Sequence, residues 1–180
     1  MIPEFKKFPK IPRLTRDCCI TEKIDGTNAC IYVDEDSSGI SAGSRKRWLA
    51  LGSDNFGFAA WALDHGEELI DGLGPGLHFG EWYGKGIQRG YDLDEKRFSL
   101  FNTAKWGDAQ ARPACCGVVP VLYEGEFNTV AAEMVLEKLA EHGSFAAPGY
   151  MNPEGIVIFH KAGNLLFKKT NTNDERPKGA

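Results

Sequence analysis

Lys23 lies in the segment Glu22-Lys23-Ile24-Asp25-Gly26-Thr27-Asn28, at the end of an apolar run and beside a tight Asp-Gly turn. A lysine amine is a weak nucleophile while protonated, and burial, a nearby cation or a metal can depress its pKa and free it. Asp25 would then organise metal or water near a triphosphate. Gly26 would let backbone approach the ligand closely. Taken alone, the segment favours the plainer reading of a hairpin carrying a surface lysine.

Further segments with chemical potential follow in order. Ser44-Arg45 opens a Ser-Arg-Lys-Arg cluster, and Phe79-Gly80-Glu81-Trp82-Tyr83-Gly84 and Phe98-Ser99-Leu100-Phe101 come after it. Pro153-Glu154-Gly155-Ile156-Val157 and Leu166-Phe167-Lys168-Lys169 close the series. Gly84-Lys85-Gly86 lacks the spacing and the hydroxyl residue of a phosphate-binding P-loop.

This set, in this order, resembles the nucleotidyltransferase motifs of polynucleotide ligases and mRNA capping enzymes. It is most similar to RNA ligases of the phage second type and of trypanosome RNA editing, whose nucleophile motif has the form Glu-Lys-x-x-Gly-Thr-Asn. DNA ligases and capping enzymes usually place arginine where this chain has Asn28. The resemblance runs from about Phe5 to Lys178. It implies an α+β fold of the nucleotidyltransferase (ATP-grasp-like) type, with antiparallel sheets flanking an ATP cleft and few helices. It also implies one adenylyltransferase domain over residues 1–180, with no separate C-terminal domain.

The resemblance further implies a role for each matched residue. Lys23 would attack the α-phosphorus of ATP and hold AMP as a phosphoramidate. Glu22, Ile24 and Asn28 would flank the bound nucleotide. Arg45 would contact its sugar or phosphate, with Lys46 and Arg47 either touching substrate phosphates or solvated. Glu81 would accept hydrogen bonds from ribose hydroxyls, and Phe98 would stack on adenine, unless it is ordinary core. Asp25 and Glu154 would serve a divalent cation, Mg2+ or Mn2+. Lys168 would neutralise the α-phosphate in the transition state. The implied reaction is ATP-dependent joining of an RNA 5′-phosphate to a 3′-hydroxyl through lysyl-AMP, with a nicked duplex as one form of substrate.

Two departures from the family pattern stand out. The last motif often has two lysines separated by one residue, whereas here Lys168 and Lys169 are adjacent, so a regular strand turns only one of them to the cleft. Lys168 is the expected one, because Phe167 and Lys169 would then share the other face. Many ligases also carry a further C-terminal domain, and a partner would have to supply it here. The rival readings are a minimal DNA ligase or capping-like nucleotidyltransferase and, in another class, a nucleic-acid-binding module that kept the fold and lost catalysis. A nucleotide sensor or structural partner has no positive feature in its favour.

The surrounding elements must position these residues. The 180 residues, 42% hydrophobic and 26% charged, suit one domain with a proper core. Ile20 to Val33 reads as strand, turn and strand. Gly39–Gly43, Leu77–Tyr83 and Phe98–Thr103 read as strands, and so does Val118–Tyr123, interrupted by Pro120. A helix over about Asn55–His65, capped by Ser53 or Asp54, would bury Phe56, Ala59, Ala60 and Leu63. Gly72 to Gly76 reads as a loop. A second helix from Thr129 to just before Gly143 would bury Ala132, Val135, Leu136 and Leu139. Ile156–Phe159 and Leu165–Lys168 read as a final hairpin.

Bulk properties exclude several other classes. Five cysteines without framework spacing argue against a disulfide scaffold and against a structural zinc site, leaving small buried hydrophobes. The histidines show no metal-binding pair. A net charge of −4 argues against indiscriminate polyanion binding. Basic residues nonetheless gather at both ends: Lys6, Lys7, Lys10, Arg13 and Arg16, then Lys161, Lys168, Lys169, Arg176 and Lys178. If the ends meet, they make a local positive surface suited to phosphate. With no membrane-length apolar run and no signal core, the expected setting is cytoplasmic, without a membrane partner.

Overall fold

The computed structural model describes residues 2–172 and 174. In chain order its strands are β1 (Asp17–Lys23), β2 (Thr27–Val33), β3 (Ile40–Ser44), β4 (Gly76–Gly84), β5 (Lys96–Leu100), β6 (Cys116–Val118), β7 (Val121–Glu126), β8 (Gly155–His160) and β9 (Leu165–Thr170). Its α-helices are α1 (Phe58–Asp64), α2 (Gly66–Leu73), α3 (Thr103–Trp106) and α4 (Thr129–His142). The strands form two sheets, ordered β7-β1-β8-β9 and β3-β2-β4-β5-β6. Every neighbouring pair is antiparallel except β5 and β6. The fold is therefore α+β, as expected.

The second sheet is contiguous in sequence and is inserted between two pieces of the first. We call them the inserted sheet and the split sheet. The chain passes from split to inserted at the turn after Lys23 and returns between Val118 and Val121. This corrects two expectations. The Asp25-Gly26 turn does not close a hairpin, because β1 and β2 pair with other strands. Val118–Tyr123 is not one interrupted strand: β6 ends in one sheet and β7 begins in the other, with Pro120 at the switch. Proline has no N–H for a ladder, and the Pro120 carbonyl instead accepts the Glu22 N–H at 2.9 Å.

The inserted sheet carries the larger core. Phe58 on α1 packs on Phe98 and Trp82 with ring centroids 5.0 and 5.3 Å away, and Trp61 lies 5.1 Å from Trp82. The expected helix over Asn55–His65 is present in shortened form, and the Asp54 carboxylate accepts the Ala59 and Ala60 N–H groups at its start. Its buried face is Phe58, Ala59 and Ala62, while Phe56 and Leu63 are exposed. A second helix, α2, follows at once and was not foreseen. It ends at Gly74, whose φ of 68° suits a residue without Cβ, so the first residues of the expected loop are helical. β5 stops at Leu100, and Thr103 opens α3, where the Asn102 side chain accepts the Lys105 N–H.

The split sheet has a thinner core. Cys18, Ile20, Ile156 and Ile158 pack against Ala132, Val135 and Leu139 of α4. α4 starts and ends where the sequence places it, with Asn128 accepting the Ala131 N–H at 2.7 Å. A third cluster, Ile24, Tyr83, Tyr91, Val119 and Ala147, fills the space beside both crossovers. The five cysteines are free thiols, and burial pushes those of Cys18, Cys19 and Cys30 up.

The basic N-terminal segment ends beside the β8–β9 hairpin. Leu14 O accepts His160 Nε2–H at 2.8 Å, and Arg16 O accepts the Phe127 N–H at 2.9 Å. Arg176 and Lys178, also assigned to a positive surface, lie outside the described residues. Among the described residues no helix is long and apolar enough to cross a membrane.

Candidate active site

Both sheets contribute to a cleft of about 1400 Å³. The split sheet lines it with Thr21, Lys23, Val157, Phe159 and Leu166, and the inserted sheet with Asn28, Leu77, Phe79 and Glu81. Phe101 and Thr103 add to the second wall. The volume exceeds the ~300–1,000 Å³ of ordinary small-molecule sites, so the cleft has room for more than one small ligand.

Lys23 is the last residue of β1. Its Nζ donates to Glu154 Oε2 at 2.7 Å, with the two side chains 19% and 5% exposed. Glu154 directly precedes β8, and Lys23 pairs with Gly155 in the ladder, which brings the two residues side by side. Across the turn, Glu81 on β4 stands opposite Asn28 and accepts the Gly26 N–H at 3.1 Å. Burial raises the Glu81 pKa to about 7, against the opposing pull of Lys23 and the Gly26 N–H. Gly26 is required by proximity to protein, since a Cβ there would strike the Trp82 carbonyl oxygen. The close approach is thus to β4, not to a ligand.

Several residues singled out in the sequence take other positions. The Glu22 carboxylate is bound by the Ser144 hydroxyl at 2.6 Å and by the Phe145 and Ala146 N–H groups at 2.8 and 2.9 Å. Glu22 lines the cleft while its carboxylate supports the loop after α4, and burial raises its pKa despite those three donors. Ile24 borders the cleft, with its side chain in the third core cluster. The Asp25 carboxylate accepts Arg89 Nε–H at 2.9 Å, so this expected metal ligand is engaged in an ion pair. Arg45 is exposed just past β3 and does not line the cleft. Its neighbour Arg47 donates to the Ser53 carbonyl at 2.6 Å, a loop-holding contact.

The adenine-stacking expectation for Phe98 is corrected. Phe98 is 0% exposed and packs on Phe58 and Gly80, where a Cβ would meet its ring at 2.6 Å. Phe101, 39% exposed, is the aromatic of that motif which faces the cleft. Strand parity picks it out once the β4–β5 register is known. Glu81 pairs with Ser99, which puts residues 99 and 101 on the cleft face and 98 and 100 in the core. Arg89 and Tyr91 were also missed, and no motif marked them.

The adjacent lysines point opposite ways. Lys168 pairs with Val157 and Leu166 with Phe159, and Val157, Phe159 and Leu166 all line the cleft. Lys169 turns to α4 and meets Glu133 at 3.2 Å. Lys168 therefore lies on the cleft side of β9, one row along from Lys23, without itself lining the cavity.

Among the described residues no group of three or more His, Cys, Asp or Glu side chains is placed to hold a metal ion. A self-contained metal centre does not fit. Glu154 and Glu81 do offer hard oxygen donors beside Lys23, which fits a cation shared with ligand phosphates, the usual mode for magnesium.

Comparison with known proteins places this arrangement. Significant similarity to curated protein sequences is absent. Solved structures of an RNA ligase from Naegleria gruberi share the fold. A variant solved with ATP and manganese is 21% identical, with a TM-score of 0.66 over 92% of this chain and 53% of that one. A variant solved with AMP and manganese is also 21% identical, with a TM-score of 0.62 over 93% and 53%. This chain thus spans about half the length of the solved ligases it matches. A family profile described as RNA ligase matches residues 16–171. The chain belongs to the RNA ligase family.

Proposed function

We propose that this chain is an ATP-dependent RNA ligase that adenylylates itself on Lys23. The observation that carries the reading is Lys23 at the foot of a nucleotide-sized cleft, held 2.7 Å from Glu154 and facing Glu81. Lys23 Nζ attacks the α-phosphorus of ATP. The bond to the bridging oxygen breaks, pyrophosphate departs and the amine loses its proton, leaving AMP on nitrogen as a phosphoramidate. Glu154 Oε2 lies close enough to Nζ to accept that proton.

The two walls divide the remaining work. Phe101 takes the stacking role first assigned to Phe98, with Val157 facing it from the split sheet. Glu81 and Asn28 recognise the sugar. Lys168 reaches from β9 toward the α-phosphate, where added positive charge favours the transition state. A bound magnesium or manganese ion would offset triphosphate charge and orient pyrophosphate for departure, and Glu154 and Glu81 are the carboxylates that would hold it. AMP then passes to an RNA 5′-phosphate, and a 3′-hydroxyl displaces it to join the ends, in single strands or at a nick. RNA repair in the cytoplasm is the setting this chemistry suits.

Intact-mass measurement tests the first step. Protein mixed with ATP and magnesium or manganese should gain one AMP, stable to denaturation, mapped to Lys23 and absent from Lys23→Ala. Folded protein that gains no mass with ATP, GTP or any divalent metal would sink the reading. Labelled ATP followed by nicked RNA and nicked DNA duplexes separates RNA sealing from a minimal DNA ligase.

A further inference from the structure

We infer that Arg89 and Tyr91 are positioning residues, a clamp from the β4–β5 connection that fixes Lys23 relative to Glu154. The inference rests on the reading of Lys23 as the nucleophile. It starts from a gap in the scaffold. Lys23 and Gly155 form the last pair of the β1–β8 ladder, and past it Glu154 is held from the β9 side, its carbonyl accepting the Asn171 N–H at 2.9 Å, so no β1–β8 pair ties the 24–26 turn to the segment that leads into β8.

Both clamp residues bridge Asp25 in the turn and the segment that leads into β8, Arg89 at Asn152 and Tyr91 at Tyr150. Arg89 Nε donates to Asp25 Oδ2 at 2.9 Å, and its Nη1 donates to the Asn152 carbonyl at 3.0 Å. The Asp25 N–H donates to the Tyr91 hydroxyl at 2.7 Å, and the Tyr91 ring packs on Tyr150 with centroids 4.8 Å apart. One residue thus grips side chain and carbonyl, and the other grips backbone and ring. A planar guanidinium with fixed forks suits such bridging better than an ammonium.

The connection itself is built for the task. Gln88, Tyr91 and Asp92 have φ of 45°, 56° and 53°, the left-handed region that non-glycine residues avoid. Such strain persists where surroundings over-determine it. Tyr91 is 1% exposed, wedged between Tyr83 and Tyr150. Because the connection springs from the inserted sheet and the segments it holds lead into the split sheet, the clamp also sets the distance between the two walls at Lys23.

Two variants test it, with single-turnover lysyl-AMP formation and amide hydrogen exchange as readouts. Arg89→Gln should slow adenylylation by about 10–100-fold, the scale of loss from misplacing reacting groups by a fraction of an ångström to an ångström, while KM for ATP stays within about threefold. Tyr91→Phe removes one oxygen, keeps the ring packing, and should slow the step by about 3–10-fold. In both variants, exchange should rise together in the peptides covering 24–26 and 152–154 and stay unchanged in α1. Asp94→Asn, an exposed control on the same connection, should match wild type. Wild-type rates in both variants, a rise in KM without loss of rate, or exchange unchanged in the two segments would each overturn the clamp. A wild-type protein that forms no adduct overturns the Lys23 reading instead, and the exchange comparison then still decides the clamp.

Discussion

The two sheets do different jobs. The inserted sheet is one continuous stretch, from Thr27 to Val118, with an aromatic core of Phe58, Trp61, Trp82 and Phe98. The split sheet joins β1 to strands from the far end of the chain, and its core is small aliphatic side chains and one helix. Yet the split sheet and its flanking loops bear Lys23, Glu154 and Lys168, the charges proposed to react. The inserted sheet supplies the surfaces proposed to hold a nucleoside. Robust packing and reactive geometry are thus separated. The aromatic wall tolerates few changes because its energy lies in shape, while the charged wall depends on long-range pairing that completes only when β8 and β9 join β1.

Five substitutions would break or sharpen this division. Phe58→Ala should cost about 3–5 kcal/mol, since it empties the centre of the aromatic core, measured by denaturant unfolding. A loss below about 1 kcal/mol would mean the inserted sheet is not the scaffold. Lys168→Ala should lower the rate of lysyl-AMP formation by about 10²–10³-fold, the effect of removing one electrostatic stabiliser, with the melting temperature nearly unchanged. Lys169→Ala, facing Glu133 on α4, should leave the rate close to wild type. Equal losses from the two lysines would contradict the strand parity of β9.

The fourth substitution concerns pH. Burial holds the proton on Glu81 up to about pH 7 in the folded state, whereas the unfolded chain releases it near about pH 4.3. The folded state binds more protons in that window, so this group makes stability fall as pH rises through it, with no further change above. Glu81→Gln should flatten the decline in melting temperature between about pH 5 and pH 8. An unchanged slope would show that Glu81 ionises at its ordinary value and that the cleft wall is wet. Last, Asn128→Ala should cost about 1 kcal/mol through loss of the α4 cap. A much larger loss would show that the split sheet depends on α4 more heavily than its small core suggests.

The order of the motifs made the site legible before its geometry was known. Lys23, Glu81 and Glu154 could be named because their chemistry is encoded in residue type. Helix α4 and the β8–β9 hairpin were legible too, since capping and periodicity are local. What failed was everything set by distant packing. Phe98 and Phe101 differ only in strand parity, which needs the β4–β5 register to assign. Val118 to Tyr123 looks like one strand until two sheets compete for it. The α1 face was misplaced because Phe56 precedes the helix and is not part of its period. Asp25 has the residue type of a metal ligand, and only the fold reveals that Arg89 reaches it.

The crossovers carry one more consequence. Among the described residues the chain passes between the two sheets at two places, the turn at residues 24–26 and the passage through Val119 and Pro120, and Ile24 packs with Val119. Both links lie at the same end of the cleft, like the spine of a book, and Lys23 sits on that spine. Leu77 and Leu166 line the cleft several residues along their strands from that spine, where Cys19 Sγ meets Thr103 Oγ1 at 3.7 Å. The reactive amine thus sits where the chain itself joins the two walls, and the far end is closed only by side chains.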